Sequence, residues 1–360
     1  MIADSKKSPR PTIRDAANHI GVSTATISNA FNHPDQLSPE LRERILSECL
    51  QLGYRSSGSP RKTDTTGSQG VIGIVLPDCL SHNLNDSVAS QFLNGVTTEL
   101  ESQHLSMLLI HSRELSSTNQ VRRLQSSVDG FIVYGHIEDD AIFDQLTLQS
   151  KKLIAVDCSM SGHSSVASDN FGGAFNSADL ALQHHPEYPA ILGLRIIDSK
   201  HVCRVYNDND LFADTISVAV RRLNGYREAL SKHNMILPNE RIWHIPDNTE
   251  ASALLAVREA LQCTPRPDAF FCMTDTYALT AIKEATRMGI RIPEELKIVG
   301  FDGIPESLSS SPSLTTVKQD NFAKGKIAAS LFTKPPPPLE TILATELLIR
   351  ESCPMPESSE

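Results

Sequence analysis

The sequence predicts an α/β protein in two parts, with a small three-helix domain followed by a larger domain of two lobes built on parallel sheets. Three observations support this class. Residues 12–54 carry apolar side chains at helical spacing. Residues 55–70 are rich in Ser, Thr and Gly and contain no Leu, Ile, Val, Phe or Met, as expected of a linker. After residue 70, two series of short apolar runs alternate with helical stretches, which is typical of parallel sheets with helices on both faces.

The domain boundaries are predicted from these patterns. Residues 10–54 form the helix-turn-helix domain, 55–70 the hinge or linker, 71–352 the two-lobed domain and 353–360 a tail. About 290 residues follow the linker, which is enough for two α/β lobes whose strand ends face each other across a cleft. Such clefts commonly bind small molecules, so a ligand site is expected there.

The first predicted helix begins after Thr12. Thr12 can cap this helix, and Asp15, three residues later, completes a capping box. Apolar residues then recur at the spacing of one helix face, namely Ile13, Ala16, Ala17 and Ile20. Gly21 ends this face and permits a tight turn. A third helix is predicted to start at Pro39, after the cap Ser38.

The second helix is predicted to start after Ser23 and to present a small polar surface. Ile27 and Ala30 supply its inward side, whereas the opposite face consists of Thr24, Ala25, Ser28 and Asn29. Small polar side chains let a helix lie deep in a major groove, so this layout predicts a helix-turn-helix DNA-binding domain. A three-helix bundle that binds protein, or nothing, is the alternative.

The charge distribution also favours DNA binding by the amino-terminal part. Residues 1–62 carry nine Lys or Arg and six Asp or Glu, a net charge of +3, whereas the whole chain has −10 and residues 63–360 have −13. Because +3 is small, useful affinity for DNA predicts a dimer. The residues expected to contact DNA are Thr12, Ser23, Thr24, Ala25, Thr26, Ser28, Asn29, Asn32, Arg61 and Lys62.

Several classes of protein find no support in the sequence. The polar amino terminus lacks a signal-peptide pattern and no apolar run approaches ~18 residues, so we expect a cytoplasmic, nucleoid-associated protein with no membrane partner. The seven cysteines form no CxxC pair, which argues against a zinc site or a disulfide framework. No nucleophile elbow, HExxH, phosphate-loop or dinucleotide-binding motif occurs. We therefore expect no enzyme, no cofactor and no metal.

The helical domain and the larger domain together resemble the LacI/GalR family of bacterial transcription regulators. The segment TIRDAANHIGVSTATISNAFN resembles the family's helix-turn-helix pattern, and further family-like strings follow in family order. They are SDNFGGAFNSADLAL (168–182), RRLNGYREAL (221–230), RMGIRIPEELKIVGFDGIPES (287–307), SPSLTTVKQD (311–320) and TELLIRES (345–352). The resemblance implies a periplasmic-binding-protein-like two-lobed fold and a homodimer. It also implies a near-palindromic double-stranded DNA operator and a small polar effector, such as a sugar or a nucleoside.

The resemblance further implies which residues contact the effector, because in this family the contacts come from strand ends in the cleft. By position these residues are Pro77, Asp78, Tyr134, Asp157, Thr274, Asp275 and Asp302, and Arg222 is added from the RLNGY string. Phe171 is a further candidate, since an aromatic ring can stack on a sugar or a base. Carboxylates and an Arg can each pair with two hydroxyls of a polyol. In the alternative interpretation, Asp275 and Asp302 cap the helices after their strands, and Phe171 belongs to the core.

Two positions depart from the family pattern. Asn29 stands where an Arg is common, and Asn prefers adenine whereas Arg pairs with guanine. In an ungapped alignment, Asp64 stands where family members often carry a leucine that wedges into the minor groove. An acidic side chain cannot act as an apolar wedge and is repelled by phosphates. We therefore expect this chain to lack the apolar wedge that produces the hinge-helix kink of the family.

The predicted function is a ligand-responsive, sequence-specific DNA-binding regulator, and more narrowly a repressor controlled by a small polar molecule in the cleft. An enzyme acting on a small sugar-like substrate with the same two-lobed fold is the alternative. A plain carrier of small molecules is a third possibility. The absence of catalytic motifs argues against the enzyme, and the DNA-binding domain argues against both.

The hinge departure generates the first prediction. We expect Asp64→Leu to tighten operator binding, because the change removes a repelled charge and supplies an apolar wedge. The wild-type protein should bend its operator less than family members that carry the leucine. A circular-permutation bending assay, run beside titrations of the two proteins, measures both effects. A sharp central kink with the wild-type protein would contradict the placement of the wedge at residue 64.

Overall fold

The computed structural model describes residues 11–32, 36–52, 70–77, 79–112, 124, 126–135, 151–158, 160, 162–208, 211, 217–332 and 339–356. The chain divides into two compact units, Met1–Ser68 and Gln69–Glu360. In the first unit, the regular structure of the described residues is helical. The second unit contains two sheets, so the predicted α/β class with a helical amino-terminal domain is confirmed.

The described residues of the amino-terminal unit form three helices, α1 (Ile13–Ile20), α2 (Thr24–Asn32) and α3 (Pro39–Leu52). The capping box is confirmed, since Thr12 N donates to Asp15 Oδ2 at 2.7 Å and Asp15 N donates to Thr12 Oγ1 at 3.4 Å. Gly21 ends α1 in the left-handed region, with a φ of 76°. A small core joins the three helices and consists of Ala16, Ala17, Ile20, Ile27, Ala30, Ile45 and Cys49.

The first sheet of the larger unit is entirely parallel. Its strands are β1 (Val71–Leu76), β2 (Ser106–His111), β3 (Gly130–Tyr134), β4 (Lys152–Val156), β5 (Ser164–Ser168) and β12 (Glu340–Leu343). They lie in the order β2-β1-β3-β4-β5-β12. The order reverses between β1 and β3, and such a switch point, at the carboxyl ends of the strands, is where open α/β sheets bind ligands.

The second sheet repeats this order. Its strands are β6 (Pro189–Leu194), β7 (Cys203–Arg204), β8 (Ile242–Ile245), β9 (Ala269–Cys272), β10 (Lys297–Asp302), β11 (Thr315–Lys318) and β13 (Glu346–Leu348). They lie in the order β7-β8-β6-β9-β10-β11-β13, with β7 and β13 antiparallel at the edges. The second switch point lies between β6 and β9, so the larger unit has one at the strand ends of each lobe.

Eight α-helices accompany these sheets among the described residues. They are α4 (Leu80–Asn85), α5 (Ser87–Ser102), α6 (Asn170–Leu182), α7 (Val218–Lys232), α8 (Glu250–Leu261), α9 (Asp275–Arg287), α10 (Glu306–Ser309) and α11 (Asn321–Ser330). The chain passes between the two lobes at three places, which are 168–170, 318–321 and 343–346. These three crossings bring residues from both lobes together beside the strand ends.

Close packing of two helices holds part of the first lobe. Helices α5 and α11 lie against each other, and a glycine from each helix stands at the contact. A Cβ added at Gly95 would overlap the carbonyl oxygen of Phe322, and one added at Gly325 would overlap that of Phe92. Only a residue without a side chain fits at either position unless the two helices move apart.

This packing predicts that Gly95→Ala destabilises the larger unit. Overpacking should lower its free energy of unfolding by ~1–3 kcal/mol, and this should outweigh the roughly 0.8–1.0 kcal/mol that Ala contributes to helix stability. Asn94→Ala, at an exposed position of the same helix, is the matched control and should unfold at or slightly above the wild-type midpoint. If both variants unfold at the same denaturant concentration, the two helices are not in close contact.

Candidate functional site

The surface of α2 has the predicted polar residues on its outer side. Thr24 and Ala25 are exposed, whereas Ile27 and Ala30 are fully buried. The arrangement leaves one side of α2 accessible, as a helix that reads a DNA groove requires.

Hydrogen bonds hold several of the predicted DNA-contacting residues of the helical unit in place. Ser23 Oγ accepts from Thr26 N at 3.0 Å and contacts Thr26 Oγ1 at 2.8 Å, which fixes the start of the helix. Asn29 Nδ2 donates to Gln36 Oε1 at 3.0 Å, so its amide oxygen points away from that bond. Half-exposed Ser28 shares this region, Thr12 caps α1, and Asn32 is the last residue of α2. Arg61 and Lys62 lie outside the described residues, as does Asp64.

In the larger unit, Arg222 of α7 is a buried cation with fixed partners. Its Nε donates to Asn170 Oδ1 at 2.9 Å, and its Nη1 donates to the carbonyl oxygen of Met273. The guanidinium lies 3.7 Å from the ring centre of Phe301. Among the described residues, none accepts a hydrogen bond from Arg222 Nη2, and the side chain keeps about 5% of its surface exposed. The guanidinium therefore retains a donor for a bound molecule.

Asp302, at the end of β10, is the acidic partner of Arg222. Its Oδ1 lies 3.5 Å from Arg222 Nη1 and accepts from Gln319 Nε2 at 2.8 Å. Burial raises the pKa of the Asp302 carboxyl well above its ordinary value, and the guanidinium beside it offsets only part of this rise. The alternative role of Asp302 as a helix cap is wrong, because Pro305 precedes the next helix and no side chain caps it.

On the first lobe, Tyr134 is the last residue of β3, and Asp157 directly follows the neighbouring strand β4. Asp157 Oδ2 accepts from Lys324 Nζ at 2.7 Å, while Asp157 Oδ1 is buried and has no partner among the described residues. The Tyr134 ring stacks on Phe92 with centroids 4.4 Å apart. Burial, and after it the charge of Asp157, raises the pKa of Tyr134 well above its ordinary value. The phenol therefore stays protonated at neutral pH and can donate a hydrogen bond.

Three residues at these strand ends have a positive φ, a backbone conformation that residues other than glycine rarely adopt. The φ angles of Asp157, Arg195 and Asp302 are 56°, 49° and 130°. Arg195 directly follows β6, and its Nε donates to the carbonyl oxygen of Pro246 at 2.9 Å. Such conformations cost free energy and concentrate at functional sites, which supports a functional role for this edge of the two lobes.

The side chains of Thr274 and Asp275 form hydrogen bonds within the second lobe. Thr274 Oγ1 caps α9 by accepting from Tyr277 N at 3.3 Å. Asp275 is fully buried, and its carboxylate accepts from Thr316 Oγ1 and, at 2.9 Å, from Ile304 N. Burial raises the pKa of Asp275 to about 6, and these hydrogen bonds oppose the rise. A contact of either side chain with an effector stays a prediction.

The remaining predicted residues differ in their surroundings. Pro77 follows β1, and its carbonyl oxygen accepts from Ser112 Oγ at 3.0 Å. Phe171 lies in the first turn of α6 with 45% of its surface exposed, so its alternative assignment to the core is wrong. Asp78 lies outside the described residues.

The structure adds residues to this site that the sequence did not single out. Asp86, the N-cap of α5, accepts from Asn248 Nδ2 at 3.3 Å, a hydrogen bond between the two lobes. A pocket beside Asp157 and Asn170 is also lined by Arg221 and Glu340, which come from different lobes. The other missed residues are Asn170, Gln319 and Lys324. Asn170 and Gln319 lie within family-like strings, and the helical period of α11 puts Lys324 on its buried side.

The described residues contain no group of three or more His, Cys, Asp or Glu that could hold a metal ion. None of the helices in the described ranges is long and apolar enough to cross a membrane.

Comparisons with solved structures give the fold. A transcriptional regulator solved with cellobiose has a TM-score of 0.66 at 24% identity, over 95% of this chain and 100% of that one. The lac repressor dimer bound to operator and an anti-inducer has a TM-score of 0.64 at 20% identity, over 95% and 99%. The chain therefore shares the fold of both proteins over nearly its whole length, and the predicted fold class is confirmed.

Comparisons of sequence give the family. Residues 12–57 match bacterial regulatory proteins of the lacI family, and residues 211–353 match a periplasmic binding protein-like domain. The ribose operon repressor of Halalkalibacterium halodurans is 28% identical over 97% of this chain and 99% of its own. An HTH-type transcriptional regulator of Mycobacterium tuberculosis is 32% identical over 94% of this chain and 96% of its own. The chain therefore belongs to the LacI family of bacterial transcription regulators.

Proposed function

We propose that the protein is a repressor whose binding to operator DNA is controlled by a neutral, polyhydroxylated effector held between the lobes of its larger unit. The observation that carries the proposal is the buried pair of Arg222 and Asp302 at the strand ends, on the same chain as a helix-turn-helix unit. Burying ionisable groups is costly, and buried groups with a perturbed pKa concentrate at functional sites, so this pair favours a binding role.

The chemistry of the cleft suits a ligand rich in hydroxyl groups. Asp157 and Asp302 can accept from hydroxyls, whereas Arg222 Nη2 and the Tyr134 phenol can donate to them. Among the relatives, one is a ribose operon repressor, and one solved neighbour contains cellobiose and another ribose. We therefore propose a sugar or a nucleoside as the effector. Exposed Phe171 is proposed to cover an apolar face of it.

On the DNA side, we propose that two copies of the chain bind one near-palindromic operator. The net charge of +3 on residues 1–62 is small for a single unit, and a dimer doubles it. A two-fold dimer presents two identical reading helices, which requires two related half-sites. The protein is proposed to act in the cytoplasm, at the nucleoid.

The alternative of an enzyme on the same two-lobed fold has no support in the comparisons, because the relatives are transcription regulators. A plain carrier is disfavoured by the helix-turn-helix unit, which a carrier does not need.

A thermal-shift screen of sugars and nucleosides on the full chain tests the proposal. A ligand present at 100 times its Kd stabilises its site by roughly 2.7 kcal/mol, which is measurable as a shift of the unfolding midpoint. Each stabilising compound is then added to an operator-binding assay. A true effector changes operator affinity, and a panel without any stabilising compound would contradict the proposed effector class.

Arg222→Ala should abolish the response to the effector and leave operator binding intact. The variant loses a charged donor to a desolvated ligand group, which typically costs ~2–5 kcal/mol of binding free energy. Arg227→Ala is the matched control, because Arg227 lies on the same helix and forms a surface ion pair with Asp208. Operator titrations with and without the effector measure both variants. If Arg222→Ala reaches half of its response at the same effector concentration as wild type, Arg222 does not contact the effector.

Asn29→Ala should lower specific operator affinity by roughly 1–3 kcal/mol and leave non-specific DNA binding unchanged, because the amide is expected to read a base edge. Asn18→Ala, at an exposed position of α1, serves as the control. Titrations of operator and of random-sequence DNA at one salt concentration measure the two affinities. Equal selectivity of Asn29→Ala and wild type would argue against base reading by Asn29.

A further inference from the structure

Lys324 occupies an unusual position for a lysine. It lies on α11 of the first lobe, is 0% exposed, and contacts groups from two parts of the chain. Its Nζ donates to Asp157 Oδ2 at 2.7 Å and to Gln319 Oε1 at 3.2 Å. A buried ammonium group is costly unless charge and hydrogen bonds satisfy it, and these two acceptors do so.

Gln319 extends this contact to the second lobe. It lies in the crossing 318–321, and its Nε2 donates to Asp302 Oδ1 at 2.8 Å. Because Gln319 Oε1 accepts from Lys324, the orientation of the amide is fixed, with its nitrogen toward Asp302. Lys324 thereby connects one carboxylate of the first lobe, Asp157, with one of the second lobe, Asp302.

The ionisable groups along this path lie in two acid–base pairs. Lys324 faces Asp157, and Arg222 faces Asp302, with the neutral amide of Gln319 between the two pairs. The unpartnered Oδ1 of Asp157 is buried, so it is an acceptor with its hydrogen-bonding capacity still unused. Such an arrangement leaves acceptors for ligand hydroxyls on both lobes and ties them to one another.

We propose that Lys324 is a positioning residue that joins Asp157 and Asp302, through Gln319, into one hydrogen-bonded unit across the lobe crossing, so that a hydroxyl-rich ligand engages both lobes together. The inference rests on the proposed function for the nature of the ligand, but the bridge itself does not depend on it. A ligand can shift the equilibrium between two arrangements of the lobes only if it binds one arrangement more tightly than the other. The bridge supplies such a difference, because it can form only when the two carboxylates are close.

Two variants of the full chain break the bridge in different ways. Gln319→Leu removes the link to Asp302 and leaves the ion pair of Lys324 with Asp157. The double variant Asp157→Asn with Lys324→Met removes both charges at similar volume, so that no unpaired charge stays buried. Lys326→Met is the matched control, because Lys326 is exposed and lies on the same helix.

The first measurement needs no ligand. Hydrogen exchange, followed by mass spectrometry, reports on the segments 155–158 and 301–304, which contain the two carboxylates. We expect exchange in both segments to accelerate roughly tenfold in both bridge-breaking variants, with unfolding midpoints within about 3 °C of wild type. If both variants exchange at the wild-type rate, the proposal is overturned, because Lys324 then only fills the core of the first lobe.

The second measurement uses ribose, cellobiose and cytidine as probes. Any of them that stabilises wild type should bind roughly tenfold more weakly to both bridge-breaking variants and equally well to Lys326→Met. Unchanged affinity in the bridge-breaking variants would overturn the positioning role. If no probe binds wild type, the proposed effector class fails, while the exchange experiment still decides whether the bridge exists.

Discussion

The larger unit depends on burying a positively charged side chain beside the carboxyl ends of the parallel strands of its second sheet. Arg222 can be buried only because α6, β9 and β10 all end or begin beside it and supply Asn170, a main-chain carbonyl and Asp302. The doubly wound order brings these chain ends to one edge. These three groups hold the guanidinium by hydrogen bonds and by charge. If the Arg222 side chain moved, its buried charge would lose these partners. The shape of the cleft on this side is therefore set by the fold.

Much of the architecture could be predicted from local patterns, and the exceptions have a common cause. Strands β1, β3, β4, β9 and β10 are continuous apolar runs, so their burial is evident in the sequence. Strand β5 is SSVAS, which has no such run, yet all five residues are buried between neighbouring strands. Strand β12 has an alternating, half-exposed pattern and joins the sheet through pairing with β5. Pairing partners far apart in sequence decide both cases, and no local pattern encodes them.

The same limit applies to the candidate site. The rule that polar residues after parallel strands meet at one edge places Tyr134, Asp157 and Asp302 correctly at strand ends. It does not reveal which carboxylates already accept hydrogen bonds from other residues of the protein, as Asp275 does from Thr316. It also misses Lys324, since a lysine within a helix usually faces solvent and its partner Asp157 is 167 residues away. The contacts of these residues with an effector or with DNA remain predictions.

The first lobe is built from two distant stretches of chain, and this affects how the protein is made. Strands β6 to β11 are consecutive in sequence, so every described strand of the second sheet except β13 has been synthesised once Lys318 has been added to the chain. Helix α5 lacks its packing partner α11 until Ser330 has been added, and the first sheet lacks β12 until Leu343 has followed. The lobe that is translated earlier is thus completed later, and until then it exposes apolar surface to chaperones. A nascent chain that stalls near residue 320 would carry a complete DNA-reading unit attached to an unfinished sensor.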